Sequence, residues 1–295
     1  MKKMNILLFG NKGQIGREIE ELVKIKDIKI TGFDVDSLDI TDAEQVSSVF
    51  KQSVGVDFAI NSAAYTNVDK AEDEYEKAYQ VNCIGVKNLA LSCRQYNIPL
   101  LHISTDYVFS GEKPSSYAET DVAEPHGVYG KSKLAGDQVL ESIWHKHIIL
   151  RVSWVFGKYG NNFVKTILRL AQERYVLNVV CDQFGCPTAA ADIARVLFEI
   201  AEKVLRGKEK WGIYNYCNYP VVTWYEFATK IVELGRNRLQ LRVKQINKIA
   251  TDEFPTKAKR PKNSELFVEK INKDYGILRK SWDGCLCEVI DAIEF

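Results

Sequence analysis

The chain has 295 residues, 46% of them hydrophobic, enough for one large core or for a core with a smaller lobe beside it. Its 40 basic and 39 acidic side chains nearly cancel, so no basic field makes nucleic acid the default partner. No apolar run approaches the roughly 18 residues of a membrane helix, so no membrane partner is expected. The seven cysteines (83, 93, 181, 186, 217, 285 and 287) include no CxxC pair, and the four histidines lie in no ligand motif. Reduced, structural cysteines, a cytoplasmic protein and no metal site are the expectation.

From the N-terminus, Lys2 and Lys3 precede a short apolar run. The run is too brief for a secretory leader and stops at a glycine-rich turn, which suits a buried strand better. A helical pattern follows over 14–25 and a strand over 28–34. Thr41 with Glu44 three residues later predicts a capping box before the next helix. The segment 56–64 reads as a strand, and a long helical stretch runs through 81–97. Strands are expected again at 98–105 and 146–156. Strands alternating with helices predict βαβ units and an α/β, Rossmann-like, doubly wound parallel sheet covered on both faces.

Beyond residue 150 the alternation loosens. Amphipathic helices are expected at 161–175 and 191–207, and at 224–234 after Thr223. Short strands lie between them at 177–182 and 211–217, and the polar stretch 251–264 reads as an ordered loop or lid. Trp154 and Phe156 alternate as on a strand, and Asn161 or Asn162 is placed to cap the following helix. The expected division is a dinucleotide-binding domain from 1–150 with about 183–210, and a substrate lobe from about 151–182 and 211–295.

Gly10, Gly13 and Gly16 fall three apart between the first strand and the first helix. Such a turn brings backbone close to a pyrophosphate at a helix N-terminus. An acid about 20 residues on would hydrogen-bond the adenosine ribose. Asp34 sits there, with Asp36 and Asp39 behind it. An acid favours NADH, whereas Lys12 and Arg17 beside the glycines suit the 2′-phosphate of NADPH, and the sequence leaves both open.

Tyr129 and Lys133 lie at i and i+4 on an expected helix, hence on one face. A tyrosine with a pKa of about 10 is a poor proton donor and acceptor near neutrality. A cation about 4 Å away at an effective dielectric of about 20 is worth about 4 kcal/mol, an upper bound of about three pKa units downward. Ser104 and Thr105 close the fourth strand, at the sheet edge where ligands bind, and Ala63 and Ala64 are small enough to let a flat cofactor pass.

The GxxGxxG turn, the Ser/Thr ending the fourth strand and the YxxxK pair together resemble the extended short-chain dehydrogenases. The blocks "AAYTNVDKAE", "STDYVFSG", "YGKSKLAG", "RVSWVFG", "DQFGCPT" and "AKRPKNS" look more closely like the dTDP-4-dehydrorhamnose reductases within them. The resemblance implies a proton donor at Tyr129, a lysine at 133 that tunes it and holds the nicotinamide ribose, and a carbonyl-binding hydroxyl at Thr105. It implies a cofactor, NADPH or NADH, lined by Gly10, Gly13, Gln14, Ile15, Asp34, Asp39, Ile40, Ala63, Ala64 and Thr66 together with Tyr129 and Lys133. It sets Thr105, Asp106, Tyr107, Val108 and Trp154 against a nucleotide sugar. Arg260 and Lys262 are candidates for its diphosphate. A homodimer is one assembly the resemblance allows. Some relatives bridge a dimer through glutamates and magnesium; those glutamates are not placed here, and no metal is expected. Tyr65 stands where the family pattern usually has histidine, which puts the local fit beside the cofactor in question. The implied reaction is hydride transfer to carbon 4 of dTDP-4-dehydro-L-rhamnose. Three readings compete: this one, a reductase or epimerase of another nucleotide sugar, and a non-catalytic NADP-binding regulatory subunit. Joint presence of Thr105, Tyr129 and Lys133 favours catalysis.

Overall fold

The computed structural model describes residues 4–24 and 28–293. Lys2, Lys3 and Ile25, the end of the first expected helix, lie outside them. Six strands form one sheet: β1 (Met4–Phe9), β2 (Ile28–Phe33), β3 (Phe58–Asn61), β4 (Leu100–Thr105), β5 (His147–Val152) and β6 (Gly212–Tyr216). Their spatial order is β6-β5-β4-β3-β1-β2 and every pair is parallel. The order reverses between β1 and β3, and the crevice at that switch point is where such sheets take ligands.

Side chains alternate across the sheet as a two-residue period demands. In β1, Ile6 and Leu8 enter the core on one face, shared with Ile193 and Leu197 of α6 (Ala190–Leu205). Leu7 and Phe9 enter the core on the other face. That second face is covered by α2 (Ala43–Gln52), α3 (Val86–Gln95) and α4 (Val128–Ile143), which contribute Val46 and Phe50, Leu89, and Leu140. The first helix, α1 (Gln14–Lys24), packs beside α6.

A separate hydrophobic cluster lies beyond the carboxyl ends of the strands. It joins α5 (Phe163–Glu173), α7 (Trp224–Gly235), α8 (Trp282–Ala292) and the parallel strand pair Val176–Val180 and Gln245–Ile249.

Four expectations change. The helix-start signal is shifted by one residue: Asp42, not Thr41, is the N-cap of α2, accepting from the backbone N–H of Glu44 and Gln45 at 2.9 and 3.1 Å. Residues 212–216, expected in the smaller lobe, are the edge strand of the main sheet, because the register Tyr214–Leu150 completes β5's ladder. The strand expected through residue 156 breaks after Val152; Trp154 takes a left-handed backbone (φ 47°) before a two-residue strand, Val155–Phe156. The long helix before β4 contains a π-helical turn, Gln80–Gly85. Asn82 on that turn bonds both the N–H and the carbonyl of Tyr65 and the Ser132 hydroxyl (2.8, 3.1 and 3.0 Å), tying three segments beneath the cleft. Elsewhere the caps fall as expected: Asn162 caps α5, and Thr223 with Glu226 forms the capping box of α7.

Candidate active site

The glycine turn sits at the switch point. Gly10 has φ 81°, and a Cβ there would lie 2.5 Å from the backbone nitrogen of Ala63 at the end of β3. Only glycine permits both the conformation and that approach. α1 then opens with its N-terminus toward the cleft, and the buried Gln14 Oε1 has no partner among the described residues.

The cleft is a cavity of about 840 Å³. Gly10, Gly13, Gln14, Ile15, Asp34, Asp39, Ile40, Ala63, Ala64 and Thr66 line one end. Thr105, Asp106, Tyr107, Tyr129, Lys133 and Trp154 line the other. The Cβ-free cradle, the small residues Ala63 and Ala64, and the unpartnered Gln14 oxygen fit a dinucleotide laid across the helix N-terminus. At the adenosine end Asp34 Oδ2 accepts from the backbone N–H of Lys12 at 2.9 Å. The Lys12 ammonium pairs with Asp36, and the Arg17 guanidinium lies 5.5 Å from the Tyr159 ring centre.

Three expected site residues are placed elsewhere. Val108 ends a 3₁₀ turn, Asp106–Val108, that carries it into the main core, where it is fully buried. Arg260 does not line the cavity; it pairs with Asp69 and reaches the Tyr107 hydroxyl at 3.4 Å, so it stands behind Tyr107. Lys262 pairs with Glu112 at 3.5 Å. Tyr65 lines the cavity, with its hydroxyl donating to Glu74 at 2.8 Å.

Tyr129 lies in the first turn of α4, edge-on to Tyr107 with ring centres 5.5 Å apart. Burial drives its phenol well above the ordinary tyrosine value; the neighbouring Thr105 hydroxyl acts the other way and Asp106 adds to the rise. That is opposite to the tuning expected from Lys133: burial of the phenol dominates, and the Lys133 ammonium is bonded elsewhere. Its Nζ donates to the Ile103 carbonyl at 2.7 Å and lies 3.3 Å from His102 Nε2. Burial also brings Lys133 down to about 8, against the opposing pull of Asp137. Thr105 donates to Asp106 Oδ1 at 3.1 Å and accepts from the Tyr107 N–H at 3.2 Å, so its hydroxyl is held at the end of β4. Burial raises Asp106 to about 6, more than its hydrogen bonds lower it.

Sequence reasoning missed Trp224, which lines the cavity and stacks on Trp154 with ring centres 3.4 Å apart. Its position directly after the Thr223 cap was legible, but its meeting with Trp154 depends on tertiary packing.

Fold and site together define a Rossmann-type dinucleotide-binding protein carrying the Thr, Tyr and Lys of the short-chain dehydrogenases. Residues 4–295 match the family model described as RmlD substrate binding domain, and the chain belongs to that family. It is 46% identical to the dTDP-4-dehydrorhamnose reductase of Aggregatibacter actinomycetemcomitans over 95% of this chain and 96% of the relative. It is 38% identical to that of Escherichia coli K12, over 95% and 94%. Among solved structures, it resembles a dTDP-4-dehydrorhamnose reductase from Clostridium acetobutylicum (TM-score 0.91, 38% identity, 98% and 99% of the two chains). It likewise resembles the Bacillus anthracis enzyme in complex with NADP (TM-score 0.90, 36% identity, 98% and 99%).

Proposed function

We infer that this chain reduces the 4-keto group of dTDP-4-dehydro-L-rhamnose to give dTDP-L-rhamnose, with NADPH as the reductant. The observation that carries the reading is the placement of Thr105, Tyr129 and Lys133 on one wall of a cavity whose other end is the glycine cradle. Bound in that cradle, the reduced nicotinamide would supply the hydride.

The protein's own residues then have separable tasks. The Gly10–Gly16 turn and Gln14 hold the pyrophosphate end, and Asp34, Lys12 and Arg17 face the adenosine end. Lys133, anchored through Ile103, points its remaining N–H groups at the ribose. With substrate bound, the Thr105 hydroxyl would turn from Asp106 Oδ1 to donate to the ketone oxygen next to the Tyr129 hydroxyl. The raised value of Tyr129 keeps the phenol protonated at neutral pH, the state a proton donor requires. As hydride adds to carbon 4, charge develops on the oxygen, Tyr129 donates its proton there, and the positive Lys133 stabilises the phenolate left behind. Tyr107 and the Trp154–Trp224 stack offer apolar surface to the sugar nucleotide. Arg260, held by Asp69, supports Tyr107. In this reading the sheet half holds cofactor and the second hydrophobic cluster bounds the nucleotide sugar. It describes a cytoplasmic enzyme, and size-exclusion chromatography would decide between monomer and homodimer.

The test is spectrophotometric. Purified protein is mixed with NADPH, and separately NADH, then given enzymatically generated dTDP-4-dehydro-L-rhamnose. Loss of the reduced-nicotinamide absorbance with dTDP-L-rhamnose formed is expected. Cofactor binding without that loss would overturn the substrate and leave another nucleotide sugar or a binding role. Cofactor retained tightly through purification would point to an epimerase instead.

A further inference from the structure

Beneath the catalytic wall lies a set of buried ionisable groups to which the mechanism above assigns no task. His102 and Asp137 are 0% exposed and Arg151 is 3% exposed. Asp137 is one helical turn beyond Lys133 on α4. Its Oδ2 accepts from the Ser104 hydroxyl at 2.7 Å and lies 3.6 Å from Arg151 Nε, while its Oδ1 lies 3.7 Å from His102 Nε2.

The hydrogen-bond polarity fixes the imidazole between them. The Ala63 backbone N–H can only donate, and it donates to Asn61 Oδ1 at 3.0 Å. The Asn61 amide nitrogen, 3.0 Å from His102 Nδ1, is therefore the donor of that contact. The neutral ring then carries its own proton on Nε2, the atom facing both Lys133 Nζ at 3.3 Å and Asp137 Oδ1 at 3.7 Å. His102 is held neutral by burial and by the charge of Lys133. No ring lone pair is therefore offered to Lys133, and Asp137 Oδ1, at 3.7 Å, acts on the ring and the lysine by its charge rather than by a hydrogen bond. The lysine keeps one internal acceptor, the Ile103 carbonyl, and the cavity for its other protons.

We propose that Asp137 is a positioning residue for the reaction, holding Lys133 as the ammonium in a site whose burial favours the free amine, with His102 as the neutral spacer that leaves the ammonium directed at the cavity. The proposal rests on the reading that Lys133 serves the reaction. The other titratable or charged groups around the pair are Tyr129 and Glu141 from α4, His147 and Arg151 from β5, and the polar Ser104 from β4. Arg151 and Ser104 stabilise the Asp137 carboxylate, Glu141 opposes it, and burial opposes it most. His102 Nε2 lies 3.3 Å from Lys133 Nζ and 3.7 Å from Asp137 Oδ1, which bounds their separation at about 7 Å, and an opposite charge within about 4–6 Å moves a titration by about one to three pH units.

The experiment compares wild type, D137N and D137E by two readouts. One is the pH dependence of kcat/KM. The other is the Lys133 titration in the cofactor-free protein, followed by NMR of ¹³C-lysine-labelled chains and assigned with K133M. In D137N the alkaline limb and the Lys133 titration both move down by about one pH unit or more, so activity falls about tenfold on the alkaline side and recovers on acidification. D137E keeps both near wild type. Because D137N leaves Arg151 buried without its counter-charge, the double variant D137N/R151Q is run beside it, and the same displacement is expected. An unmoved limb and an unmoved titration in a folded variant would overturn the proposal and make Asp137 structural. A wild type without NADPH oxidation would overturn the reaction instead, while the NMR titration still decides the role of Asp137.

Discussion

Replacing Lys133 by methionine tests the price of the site in stability. The side chain is 2% exposed. Burial lowers its ammonium from 10.5 to about 8. Each pKa unit corresponds to about 1.4 kcal/mol, so the 2.5-unit drop amounts to about 3 kcal/mol of cost, on an order-of-magnitude scale. The sign follows from linkage. Between pH 8 and 10.5 the unfolded chain holds the lysine proton and the folded chain does not, so wild-type stability from this group rises with pH across that window. Below pH 8 the full cost is present. Methionine fills a similar volume without charge, but leaves the Ile103 carbonyl without its 2.7 Å donor, an offset of about 1–3 kcal/mol. K133M is therefore expected to match wild type at pH 7 or exceed it by up to about 2 kcal/mol. Its advantage over wild type should shrink by about 3 kcal/mol between pH 8 and 10.5, while reductase activity is lost throughout. Urea unfolding of both proteins at pH 7, 9 and 10.5 reads the difference, in which all shared titrations cancel. A difference constant with pH would show that Lys133 titrates as an ordinary lysine in the fold and would refute the reasoning.

Tyr129→Phe should lower kcat by about 10²–10⁴-fold with NADPH affinity, read by fluorescence titration, changed less than about threefold; near-normal turnover would remove Tyr129 as donor. Gly10→Ala puts a Cβ 2.5 Å from Ala63 N at φ 81°, so NADPH binding should fall by at least about tenfold and stability by more than the roughly 1–2 kcal/mol of the left-handed backbone alone; unchanged affinity would mean the cradle does not hold the cofactor. Asn82→Ala removes three hydrogen bonds beneath the cleft and should cost about 2–3 kcal/mol in denaturant unfolding, and a loss under about 0.5 kcal/mol would show that water replaces the amide.

The glycine turn, the Tyr129–Lys133 pair and the placement of Thr105 at a strand end were legible because each is encoded within a few residues. A turn, a helical i+4 spacing and a strand terminus need no knowledge of distant chain. What the sequence did not show depends on distant or rotational geometry. Arg260 meets Asp69 across 191 positions. Val108 turns inward because three residues of 3₁₀ helix follow β4. Residues 212–216 join β5 because their register completes a ladder already built. The direction in which Tyr129 shifts was misjudged for a related reason. The spacing puts Lys133 on the same face, but burial of the phenol and the capture of the ammonium by Ile103 are tertiary facts. Asp137 was visible four residues past Lys133, yet only the alignment of β4, β5 and α4 shows it enclosed with His102 and Arg151.

The most direct test of the central claim is transfer of a label. NADPH carrying deuterium at the transferable position of its nicotinamide is incubated with the protein and dTDP-4-dehydro-L-rhamnose, and the sugar nucleotide is analysed by mass spectrometry and NMR. The account predicts dTDP-L-rhamnose with one deuterium at carbon 4 and oxidised cofactor in equal amount. Deuterium left on the cofactor, with the ketosugar unchanged or merely epimerised, would contradict it.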